Sequence, residues 1–163
     1  AHKDSTGREE AIRTGEVQIM SAGSGVTHSE YNHSKDQQVN FLQIWIFPRE
    51  KNITPQYDQR FFDLAGAAGK LVTVVAPDDP EALWINQDAW LSMGNLPSAT
   101  SVGYTLRKQN NGAYIFVIDG EVHVEDVTLA RRDALGIEGT DHLEISATKN
   151  SKVLLMDVPM NYS

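Results

Sequence analysis

The 163-residue chain contains no cysteine. Disulfides and thiolate metal sites are therefore excluded, and any metal must be held by histidine and carboxylate. Basic residues are in short supply, with 14 Lys and Arg against 22 Asp and Glu, a formal net charge of −8. That balance disfavours direct contact with nucleic acid, whose phosphates need a basic surface. It also gains nothing from anionic lipid. No apolar run is long enough to span a bilayer and no signal-peptide pattern is present. No membrane partner and a cytoplasmic location are expected. Long amphipathic helical periods are missing as well. The chain begins at Ala1 and not at Met, so a processed or shortened N-terminus is expected.

What is present reads as β-structure. A hydrophobic content of 40% and a charged content of 22% are ordinary for a globular chain of one large or two small domains. Apolar and β-branched runs at residues 17–20, 39–47, 70–75, 83–85, 89–91, 101–106, 114–118, 121–127, 142–147 and 153–158 recur at about 8–12 residues over much of the chain, the spacing of an all-β sandwich or barrel. The run VNFLQIWIF at 39–47 is apolar on both alternating faces, so a strand covered on both sides is expected, ended by Pro48. Asp119-Gly120 is a type I′ hairpin signal, and Asn110-Asn111-Gly112 a turn.

The segment that carries chemistry is GEVQIMSAGSGVTHSE, residues 15–30. A strand enters a small-residue turn, Ser21-Ala22-Gly23-Ser24-Gly25, and a new strand starts at Val26. Side chains two apart on a strand share a face, so His28 and Glu30 project together, with Cβ atoms about 6–7 Å apart. Facing inward, an imidazole and a carboxylate at that spacing suit one ion of Fe(II), Mn, Ni, Co or Zn. Facing outward, the same pattern is an ordinary solvated strand. A phosphate cradle would need a helix after the glycines, and none is indicated.

The same run resembles the second cupin motif of the pirin family. LQIWIFP at 42–48 followed by Pro55, Tyr57 and Gln59 resembles that family's next block. HKDSTG at 2–7 resembles the hairpin before the motif, and GAYIFVIDGEV and VLLMDVP resemble the second cupin. The resemblance implies an all-β bicupin, two stacked jelly-roll (double-stranded β-helix) barrels, with the N-terminal barrel incomplete. Residues 1–64 would be the C-terminal part of a metal-type cupin plus linker, and residues 65–163 a metal-free C-terminal cupin. It also implies one divalent transition metal, iron foremost, held by three His and one Glu. The last two ligands match His28 and Glu30. The first two belong to a His-x-His segment upstream of the hairpin, which the chain does not contain. His2 sits in the hairpin and not at a ligand position. Two ligands alone bind weakly, so this chain by itself is expected to hold little or no metal.

The activity implied is quercetin 2,3-dioxygenase-like, the oxygen-dependent cleavage of a small aromatic flavonol, with Glu30 as the catalytic proton acceptor. The alternative is a non-enzymatic module, metal-binding or redox-responsive, that regulates by binding partner proteins. Exposed sheet edges would also favour a homodimer that completes the broken barrel. His33 reads as a loop residue, His123 as the solvent side of EVHVE, and His142 as a second-cupin position without its partners. Trp45, Trp84 and Trp90 read as core or inter-domain packing.

Overall fold

The computed structural model describes residues 1–163 apart from Thr6, Arg8, Val26, Tyr162 and Ser163, and no helix occurs among the described residues. The strands are β1 His2–Asp4, β2 Glu9–Glu10, β3 Glu16–Ser21, β4 His28–Glu30, β5 Gln56–Phe61, β6 Leu71–Ala76, β7 Leu83–Trp84, β8 Trp90–Leu96, β9 Ser101–Thr105, β10 Asn111–Asp119, β11 Glu121–Val124, β12 Val127–Ala130, β13 Ala134–Ile137, β14 His142–Ala147 and β15 Ser151–Pro159. The strand start expected at Val26 lies outside the described residues.

Strands β6 to β15 build a double-sheet jelly roll. A six-stranded sheet, ordered β13-β10-β15-β8-β6-β7, packs on a four-stranded sheet, ordered β12-β11-β14-β9. Alternation decides what each strand contributes. Ile115 and Val117 of β10 and Val153 and Leu155 of β15 point at Val122 and Val124 of β11 and at Leu143 and Ile145 of β14. Each large apolar side chain buried there stabilises the fold by roughly 1.5–3 kcal/mol. The opposite face of the six-stranded sheet is covered too. Leu154, Phe116 and Met156 join Phe62, Leu64, Val74, Leu83 and Leu91 in a second core, closed by Val17 and Ile19 of β3. Burial on both faces is why β15 reads as a continuous apolar run and not as an alternation.

The N-terminal strands form smaller units, a sheet ordered β2-β1-β4 and a β3-β5 pair. The β1–β2 hairpin falls on the HKDSTG motif, as the sequence indicates.

Three sequence expectations are corrected. Residues 39–47 are not a strand and are not covered: Phe41 is 64%, Trp45 84% and Phe47 77% exposed. A strand exists only through a neighbour's hydrogen bonds, and no described strand pairs with this one. The segment is tied down near its end, where the Gln87 side chain donates to the Phe47 carbonyl at 2.8 Å, and Ile46 packs on the second core. Second, Asp119-Gly120 makes no hairpin, because β10 and β11 belong to different sheets. Gly120, at φ +86°, turns the chain from one sheet to the other so close to Asn150 and Ser151 that a Cβ would collide with both. The hairpin lies one strand later, where Val124 pairs with Val127 and Glu125 takes φ 50°. Third, of the tryptophans only Trp90 is core; its indole N–H donates to Asp78 at 2.8 Å, whereas Trp45 and Trp84 are exposed.

Candidate metal centre

Strand β4 runs antiparallel to β1, with Glu30 opposite His2 and His28 opposite Asp4. Ser29 is exposed while His28 and Glu30 are half-buried. Alternation therefore gathers His2, Asp4, His28 and Glu30 on one face. The turn that aims β4 depends on Gly23, at φ +55°, where a Cβ would run into the Ile53 carbonyl. The next residue, Ser24, donates its N–H to that same carbonyl at 3.0 Å.

His2 is completely buried at the centre of this face. Its Nδ1 lies 3.0 Å from Glu30 Oε1 and its Nε2 3.1 Å from Asp4 Oδ2. Its ring stacks on His28 at 5.6 Å between centroids and leans on Tyr57 at 5.1 Å. The β3–β5 pair adds amide donors. Gln18 Nε2 donates to Glu30 Oε1 at 3.3 Å. The Tyr57 hydroxyl donates to Gln59 Oε1 at 2.7 Å, and Gln59 Nε2 to Glu16 at 2.8 Å. One oxygen of Glu30 thus faces both His2 Nδ1 and the Gln18 amide. Among the described residues no hydrogen bond reaches its other oxygen or the ring nitrogens of His28.

A neutral imidazole nitrogen and a carboxylate oxygen are the right donor types for a divalent transition ion. They fit as part of a site. Among the described residues no group of three or more His, Asp or Glu is placed to hold a metal, and the nitrogens of His2 are turned to Glu30 and Asp4. His28 and Glu30, singled out from sequence, stand side by side. His33, His123 and His142 are exposed, and the last two lie 3.2 Å from the Thr128 and Thr105 hydroxyls. His2 is the residue sequence reasoning passed over. Its signal is the pair of alternations, His-x-Asp in HKD and His-x-Glu in HSE, which an antiparallel pairing brings face to face.

A jelly roll buried on both sides, preceded by a strand that presents a His-x-Glu pair, defines a protein of the cupin class. Residues 1–46 match the family model described as Pirin, and residues 73–158 match that of the quercetinase C-terminal cupin domain. The chain belongs to the pirin family. A quercetin 2,3-dioxygenase of Escherichia coli K12 is 37% identical over 163 residues, covering 97% of this chain and 67% of that protein. A pirin-like protein of Caulobacter vibrioides is 34% identical, covering 96% and 67%. Among solved structures, bacterial pirin YhhW of E. coli in complex with nickel(II) superposes with a TM-score of 0.89 at 36% identity, over 97% of this chain and 67% of that one. The chain spans about two thirds of the length of these relatives.

Proposed function

We propose that this chain supplies His28 and Glu30 as two ligands of one divalent transition-metal site, in a protein that cleaves a flavonol-like aromatic such as quercetin with oxygen. The observation that carries this reading is their side-by-side placement on β4, with the ring nitrogens of His28 and one oxygen of Glu30 uncommitted among the described residues. The names of the relatives, a quercetin 2,3-dioxygenase and a nickel-bound pirin, support it. Iron is the ion proposed here, and the remaining ligands are proposed to come from a His-x-His segment of the full-length protein. The bound ion would supply Lewis-acid polarisation and a template for substrate. The residues of this chain do the rest. His28 offers an imidazole lone pair, Glu30 offers one oxygen, and the Glu30 carboxylate takes the proton of the flavonol hydroxyl. The same proposal divides the chain after residue 64 and places the protein in the cytoplasm, which cell fractionation checks.

The test is quercetin consumption in air by protein loaded with Fe(II) or Ni(II). Loss of both bound metal and turnover in His28→Ala is expected. Undiminished turnover in that variant, or no quercetin loss by the metal-loaded full-length protein, overturns the proposal.

The exposed apolar segment 39–47 favours a second reading, a regulatory module that binds a partner protein through that strip. A pull-down in which Trp45→Ser abolishes capture of a stoichiometric partner would support it; failure of the unaltered protein to capture any partner would sink it.

A further inference from the structure

We propose that His2 is a positioning residue for Glu30: it holds one carboxylate oxygen so that the other is presented beside His28. The inference rests on the reading of Glu30 as a metal ligand.

The geometry leaves His2 little freedom. The side chain is fully buried, so both ring nitrogens require partners. Those partners lie on opposite sides of the ring, Glu30 at Nδ1 and Asp4 at Nε2, at 3.0 and 3.1 Å. Rotating the ring breaks both contacts. Its faces meet His28 at 5.6 Å and Tyr57 at 5.1 Å, so the ring that steadies Glu30 also bears on His28. Gln18 reaches the same Glu30 oxygen from 3.3 Å, a longer bond that supplements the first. Hydrogen-bond partners of metal ligands fix which lone pair is offered, and losing one typically lowers metal affinity 10–100-fold. Asp4 extends the arrangement outward by anchoring the far nitrogen from its own strand.

Three substitutions separate positioning from simple packing. His2→Asn keeps an amide N–H near the place of Nδ1 and can still serve Glu30. His2→Gln carries its amide toward Nε2 and serves Asp4. His2→Phe keeps ring volume and stacking but donates to neither. Two readouts are taken on the full-length protein, which carries the remaining ligands: Ni(II) affinity by calorimetric titration, and the carbon-13 resonance of the Glu30 carboxyl in metal-free protein. His2→Phe and His2→Gln are expected to weaken Ni(II) binding about 10–100-fold and to move the Glu30 resonance, whereas His2→Asn retains most of both. If all three variants bind Ni(II) as the parent does with the resonance unmoved, the proposal fails. It fails equally if all three lose affinity alike, in step with their melting temperatures, because His2 would then only fill space. If the parent itself binds no Ni(II), the ligand reading of Glu30 falls, and the metal-free resonance still shows whether His2 holds the carboxylate. Should His2→Phe not fold, the Asn and Gln pair decides.

Discussion

The hydroxyl of Tyr104 donates to Asp157 Oδ2 at 3.0 Å, joining the edge strand β9 of one sheet to the inner strand β15 of the other. Asp157 is completely buried. Its carboxylate also accepts the Arg107 N–H at 2.7 Å and the Asn111 amide at 2.6 Å. Three donors offset the desolvation of one buried charge. Tyr104→Phe removes one of them, a bond to a charged group, and should lower stability by about 1.5–3 kcal/mol. A urea titration at neutral pH, reading the midpoint at constant slope, checks this.

The same pair sets an alkaline limit. Burial first, and the charge of Asp157 second, push the Tyr104 phenol above its ordinary value of 10.0. The folded state therefore holds this proton more tightly than the unfolded chain does. The stability linked to it is complete below about pH 10 and declines as pH rises toward the raised value. The stability difference between the parent and Tyr104→Phe should accordingly narrow above pH 10. A constant difference from pH 8 to pH 11 would refute the assignment.

Gly120→Ala should be costly for a position with no side chain to lose. The residue sits at φ +86°, and the added carbon would press on the Asn150 carbonyl and on Ser151. A loss of about 2 kcal/mol or more is expected from strain and collision together. For a chain of this length that is a fall in melting temperature of roughly 4–8 °C, measurable by calorimetry. Gly139, where nothing lies within 4 Å of an added Cβ and φ is a similar +73°, serves as the comparison that isolates the collision.

Two tryptophans should behave as opposites. Trp45 is 84% exposed and Trp90 is 4% exposed. Trp45→Phe should change stability by less than about 0.5 kcal/mol, and Trp90→Phe should cost about 1–3 kcal/mol through lost packing and the lost bond to Asp78. Acrylamide quenching of the parent should be dominated by Trp45 and should drop in Trp45→Phe.

Much of the jelly roll was legible because its strands obey local rules. The alternation of Val122 and Val124 about His123 gave the right inward face, and the apolar run at 153–158 marked the strand β15. The motif at 15–30 gave the His28–Glu30 pair for the same reason, since spacing on a strand is a local property. What failed depended on partners. VNFLQIWIF has the composition of a central strand, but pairing is not written in the segment that needs it. Asp119-Gly120 has the chemistry of a hairpin, yet only the register of β10 and β11 with other strands shows that the chain leaves the sheet there. The contact of His2 with Glu30 is not legible in sequence because it forms across 28 residues, through strand pairing.

Strand β15 has a consequence for biosynthesis. It lies between β10 and β8, with Val153 and Leu155 in one core and Leu154 in the other. While residues 151–159 are still in the ribosomal tunnel, β10 and β8 have no strand to join them, and both cores lack their shared wall. The nascent jelly roll therefore presents two raw edges to the cell until this strand has emerged. A stop codon just before Ser151 would yield a chain for chaperones and proteases, not a slightly weakened domain.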